Sequence, residues 1–181
     1  TVGDALGSAT HSRQRQAPTF DATLACAHYG PPISAMVLAL KNGGQLPLAR
    51  AFGQLMASRV DPHSMAGAMV CPVPLNAQRL RERGFNQALE IARAFARALD
   101  LPLCANALTR APNSKAQQAL KLHERRRNVR GVFRVHTDVR GRHVVVIDDV
   151  MTSGSTLDEI ARCLKRAGAQ RVSNVVLART G

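Results

Sequence analysis

The chain has 181 residues and a formal charge of +13, from 25 Lys and Arg against 12 Asp and Glu. That length fits one compact α/β core and excludes two full ones, and the charge favours anionic partners, phosphate compounds and nucleic acid alike, without choosing between them. Aromatic residues make up 3% against 45% apolar, so the core is built from Ala, Val, Leu and Ile and offers little stacking surface.

Residues 1–18 are rich in Gly, Ser, Thr, Arg and Gln with almost no periodic apolar content, which reads as a tail that cannot bury enough surface to order itself. Residues 33–41 are apolar all round and stop at Asn42-Gly43-Gly44, a strong helix terminator. A second helix follows over about 46–60. Asp61-Pro62 and Gly67 mark loops, and 68–73 is a short apolar run closed by Pro72 and Pro74, as a buried parallel strand would be. After an arginine-rich loop, Leu89, Ile91, Ala92, Phe95, Ala96 and Leu99 recur at helical spacing, which predicts an amphipathic helix over about 86–99.

A strand near 103–108 gives way to the basic segment 109–130, in which only Glu124 opposes seven Lys and Arg side chains. Strands near 132–135 and 143–147, a helix over about 155–167 ended by Gly168, and a strand over 172–178 complete an alternating pattern. Such alternation implies a mostly parallel sheet flanked by helices. Cys26, Cys71, Cys104 and Cys163 have no paired spacing, and three fall in apolar stretches, which fits buried thiols in a reducing cytoplasm. No stretch approaches the roughly 18 consecutive apolar residues of a membrane span, and no membrane insertion is expected.

The run Val144-Val145-Val146-Ile147 is followed by Asp148-Asp149, and Val150-Met151-Thr152-Ser153-Gly154-Ser155-Thr156 leads into the helix. A buried strand delivers its carboxyl end to a fixed place, where ligands bind in open α/β sheets. Two aspartates there can accept hydrogen bonds from vicinal hydroxyls. The small hydroxylated residues and Gly154 let backbone N–H groups converge at a helix start, where the dipole also favours an anion. Diol binder and phosphate cradle side by side match a ribose 5-phosphate. The competing reading is structural: a buried strand with an acidic end and a Ser/Thr turn.

This segment resembles the phosphoribosyl pyrophosphate (PRPP) signature of type I phosphoribosyltransferases throughout 144–156. The resemblance implies the type I fold, a mostly parallel sheet flanked by helices with a small N-terminal helical hood, divided as tail or ribbon remnant 1–18, hood 19–66 and core 67–181. It implies that Asp148 and Asp149 hold the ribose hydroxyls, that Thr152, Ser153, Gly154, Ser155 and Thr156 hold the 5-phosphate, and that Mg²⁺ is held mainly through the substrate. Ala39-Leu40-Lys41, Val73-Pro74-Leu75, Arg79, Arg83-Gly84-Phe85-Asn86-Gln87 and Arg125-Arg126-Arg127-Asn128-Val129-Arg130-Gly131-Val132-Phe133 narrow the resemblance to the ComF family, associated with DNA uptake in bacterial competence. Its members commonly open with a zinc ribbon of two CxxC pairs. Here His11-Ser12-Arg13-Gln14 and a solitary Cys26 stand in that region, so no zinc ligand set is expected, the alternative being His11, Cys26 and His28.

Val73, Pro74, Arg79 and Arg83 stand where the pyrophosphate-facing loop of the related enzymes falls. Arg83 has a second reading, pairing with solvent or Glu82, and Asn86 a capping one. Arg110 and Lys115 fall in the position of the flexible catalytic loop, the alternative being a solvated basic loop with no chemistry. Two functions follow: transfer of a phosphoribosyl group from PRPP to an unidentified acceptor, or a non-catalytic module binding PRPP and single-stranded DNA, with Arg125, Arg126 and Arg127 as backbone contacts and other competence proteins as partners. The hood that would select an acceptor base carries Tyr29 and Phe52 as its later aromatics.

Overall fold

A run of residues that is apolar on both faces can be stable as a strand only between two helical layers, and this chain builds two such runs at its centre. In a computed structural model, which describes residues 17–111 and 131–180, β5 (His143–Met151) and β6 (Arg171–Arg179) pair in parallel with His143 opposite Arg171 and Met151 opposite Arg179. Val144, Val145, Val146 and Ile147 have no solvent-accessible surface. β2 (Met69–Pro72) adds in parallel to β5, and β1 (Ala22–His28) adds in parallel to β6. The order β1-β6-β5-β2 gives a four-stranded, all-parallel sheet.

One face is covered by α1 (Ile33–Gly43), α2 (Leu46–Ala57) and α4 (Gln87–Ala98), with Leu40, Phe52, Met56, Ile91 and Phe95 packed on Val145, Ile147, Val175 and Leu177. α2 and α4 meet closely because Gly53 has no side chain: a Cβ there would lie 2.5 Å from the Ile91 carbonyl oxygen and 2.6 Å from Ala94 Cβ. The other face takes α5 (Ser155–Arg166) and a small antiparallel pair, β3 (Leu108–Arg110) with β4 (Phe133–Val135). A short α3 (Ala77–Arg83) lies between β2 and α4.

Several elements depart from the sequence reading. Residues 22–28, expected within a helical hood, form β1 in the main sheet, and α1 and α2 pack on that sheet beside α4. The strand expected to end at Ile147 runs to Met151, so both aspartates belong to it. The strand near 103–108 is one parallel bridge from Leu103 to Val70 and then β3, displaced to 108–110. The arginine-rich loop contains α3, which buries none of its residues. Residues 1–16, Lys115 and Arg125, Arg126 and Arg127 lie outside the described residues. Among the described residues no helix is long and apolar enough to cross a membrane.

Candidate functional site

The carboxyl ends of β2 and β5 are tied together where the Val73 N–H donates to the Ile147 carbonyl at 2.9 Å. Immediately past that tie, Asp148 and Asp149 each turn one oxygen back onto the chain: Asp148 Oδ1 accepts from the Asp149 N–H at 2.9 Å, and Asp149 Oδ1 accepts from the Val150 N–H at 2.8 Å. The free oxygens face different surroundings. Asp149 is buried, and its Oδ2 lies 2.8 Å from Lys41 Nζ, an ionic contact without hydrogen-bond alignment. Asp148 keeps a partly accessible edge. Burial, and next the charge of Asp149, push its carboxyl well above the usual carboxylate range, against the Asp149 N–H and the Lys41 charge, which draw it down. Lys41, carried in by the last turn of α1, is the site residue that the sequence reading missed; its position just ahead of a helix stop gave no signal of a contact with residue 149.

The strand leaves the sheet at Met151 and enters α5 through Thr152, Ser153 and Gly154. Gly154 is the N-cap with φ 75°, the left-handed region that a side chain disfavours. A Cβ on it would also stand 2.6 Å from Met151 Cε. Since the cap has no side chain, no side-chain acceptor serves the first-turn N–H groups of α5, which by geometry have no partner within the helix. Ser153 and Ser155 hydroxyls meet at 2.9 Å beside them, and Thr156 lies in the first turn. Open donors, hydroxyls and the positive end of a twelve-residue helix are an arrangement that can hold an anion. Asp148, Asp149, Thr152, Ser153, Gly154, Ser155 and Thr156 are thus one continuous strand–loop–helix surface.

Opposite stands the loop after β2. Val73 is buried, and its carbonyl accepts from Asn86 Nδ2 at 3.0 Å while Asn86 Oδ1 caps α4 through the Ala88 N–H at 3.0 Å. Asn76 caps α3 through the Arg79 N–H at 2.7 Å. Arg79 is exposed on α3, and Arg83 donates to the buried Gln87 at 3.2 Å, whereas Glu82 takes Gln78. Arg110 is the last residue of β3, with its guanidinium carbon 5.7 Å from the centre of the Phe133 ring and its Nε buried without a partner. Burial first, then the charge of Arg79, lower its pKa. Phe52, one of the two hood aromatics, is buried in the core, leaving Tyr29 partly exposed. Among the described residues no three His, Cys, Asp or Glu side chains cluster closely enough to hold a metal ion.

A parallel sheet with acidic strand end, glycine-capped helix and proline-closed neighbouring loop defines a type I phosphoribosyltransferase fold, and the family model described as "Phosphoribosyl transferase domain" matches residues 86–181. Over 183 aligned residues the chain is 34% identical to "DNA utilization protein YhgH" of Escherichia coli O157:H7, covering 95% of this chain and 81% of that protein. It is 30% identical over 174 residues to "Competence protein F" of Haemophilus influenzae, covering 91% and 76%. The chain belongs to the phosphoribosyltransferase domain family and, within it, to the ComF family. A solved purine phosphoribosyltransferase from Pyrococcus horikoshii Ot3 superposes with a TM-score of 0.46 at 17% identity, over 71% of this chain and 70% of that one.

Proposed function

We propose that this protein binds PRPP across the carboxyl ends of β5 and β2 and transfers its phosphoribosyl group to an acceptor, releasing pyrophosphate, in the service of DNA uptake or use. The observation that carries this reading is the juxtaposition of Asp148 and Asp149 with the open, glycine-capped start of α5 on one strand–loop–helix. The first-turn donors of α5, Thr152, Ser153, Ser155 and Thr156 hold the 5-phosphate, and the aspartates accept the ribose hydroxyls. Fixed at both ends, the sugar presents its anomeric carbon toward the β2 loop. There Val73 and Pro74 border the pyrophosphate, and Arg79 and Arg110 lie on the same side to meet its negative charge.

In the transfer the bond from the anomeric carbon to the pyrophosphate oxygen breaks with its electron pair leaving on pyrophosphate, and the acceptor's lone pair forms the new bond. Positive charge that develops on the ring lies near the Asp148 and Asp149 carboxylates, whose role is binding and electrostatics rather than proton removal. Mg²⁺ fits here as an ion carried in by the substrate, because it takes oxygen ligands and keeps few from the protein; it would neutralise the departing pyrophosphate. Lys115 belongs to the segment that would close over the reaction.

The relatives named for DNA utilization and competence and the charge of +13 favour one further partner, single-stranded DNA. With few aromatic platforms such binding is electrostatic, and replacement of Arg125, Arg126 and Arg127 by Glu is expected to weaken it strongly and to affect PRPP affinity much less. Incubation with PRPP, Mg²⁺ and a panel of bases, nucleosides and oligonucleotides, with pyrophosphate measured, tests the transfer. Turnover with any acceptor supports an enzyme. Stoichiometric PRPP binding without turnover on the whole panel replaces it with a PRPP- and DNA-binding module.

A further inference from the structure

The ribose site contains one more charged group than its strand–loop–helix supplies. Lys41 arrives from the last turn of α1 on the helical layer, and its Nζ lies 2.8 Å from Asp149 Oδ2, with side chains 22% and 5% exposed. Of the four oxygens of the aspartate pair, two accept N–H groups of the next residues and one faces Lys41. The remaining oxygen belongs to Asp148, a residue that stays partly accessible.

We propose that Lys41 is a positioning residue of this site: it anchors the Asp149 carboxylate and balances the charge of the pair, so that Asp148 is free to accept a ribose hydroxyl. This rests on reading the site as the PRPP ribose pocket. The charged groups acting on Asp148 are Asp149, which opposes its ionisation, and Lys41, which favours it. Removing Lys41 leaves burial, a like charge and the neighbouring Asp149 carboxyl against the Asp149 N–H, so the carboxylate form of Asp148 is reached only at higher pH. A protonated carboxyl has lost one acceptor site for the diol, and PRPP affinity then rises with pH along a limb displaced upward. A lysine that merely fastened α1 to the sheet would alter melting temperature and leave that limb in place.

Calorimetric titration of Mg²⁺–PRPP into wild type, Lys41→Met, Lys41→Gln and Lys41→Arg between pH 6 and pH 9 separates the two roles, since the titration of PRPP itself is common to all. Lys41→Met and Lys41→Gln are expected to move the limb to higher pH and weaken binding by about tenfold at pH 7. Lys41→Arg, which keeps the charge, restores most of the affinity. Two neutral variants guard against one that fails to fold. A folded neutral variant with the wild-type limb overturns the inference and leaves the pocket intact. Wild-type protein that takes up no PRPP at any pH overturns the pocket reading and the inference with it.

Discussion

The two strand–loop–helix connections that meet at the site end their helices in opposite ways. After β2 the chain caps its own helices, with Asn76 on α3 and Asn86 on α4, and Asn86 also binds the Val73 carbonyl. After β5 it places Gly154 at the cap, and α5 begins with no side-chain acceptor. A helix start capped by its own side chain has one donor fewer for an anion and an acceptor oxygen standing beside it; one left open by a glycine has neither handicap. On the proposed reading the β2 connection is a fixed wall and the β5 connection the receptor, although both sit at the same end of one sheet.

The strongest way to break this contrast is to close the open cap. Gly154→Ala forces a side chain into the left-handed region and against Met151 Cε, at a cost of roughly 1–2 kcal/mol in stability, and binding of PRPP or of ribose 5-phosphate is expected to fall at least a hundredfold by calorimetry, a loss of about 3 kcal/mol from phosphate and geometry together. Retained affinity in a folded variant would show that α5 does not hold the phosphate. On the other side, Asn86→Ala removes a cap and leaves the Val73 carbonyl unserved. Denaturant unfolding should show a loss of about 2 kcal/mol, with PRPP affinity lowered less than in Gly154→Ala. Asn76→Ala, on a helix that buries nothing, costs at most about 1 kcal/mol and leaves binding unchanged; a binding defect there would mean that α3 and Arg79 are more tightly coupled to the pocket than the capping contrast allows.

The smallest effect concerns pH. The Asp148 carboxyl is raised in the folded protein by burial and by Asp149, so the folded state binds the proton more tightly than the unfolded chain does. Stability attributable to this group is then full below the ordinary carboxylate value and is lost as pH rises toward the raised one. Asp148→Asn removes that loss. The variant should melt at a higher temperature than wild type at pH 7, and the difference should shrink toward pH 4; equal melting at both pH values would remove the charge argument.

The receptor was far easier to read in the sequence than the wall. Four apolar residues, two aspartates and a Ser/Thr/Gly turn carry their chemistry in adjacent positions, so strand, pocket and helix start were visible at once. α3 was not, because no residue of it is buried and it has no apolar period to detect; Asn76 and the left-handed Gly84 hold its ends. β1 is made mostly of alanine and other small residues, weak strand formers that take the conformation through pairing with β6. Lys41 was legible as part of a family-like string, but its contact with Asp149 depends on α1 crossing the sheet face, information carried by packing rather than by spacing.

On the proposed reading the end of β5 is a ribose phosphate receptor rather than an acidic strand end serving the fold. Titration of Mg²⁺–PRPP into folded Asp148→Asn/Asp149→Asn protein beside wild type tests it most directly: wild type should bind one PRPP per chain and the double variant none detectable, with a cooperative unfolding transition preserved. Equal affinity in the two proteins would contradict it.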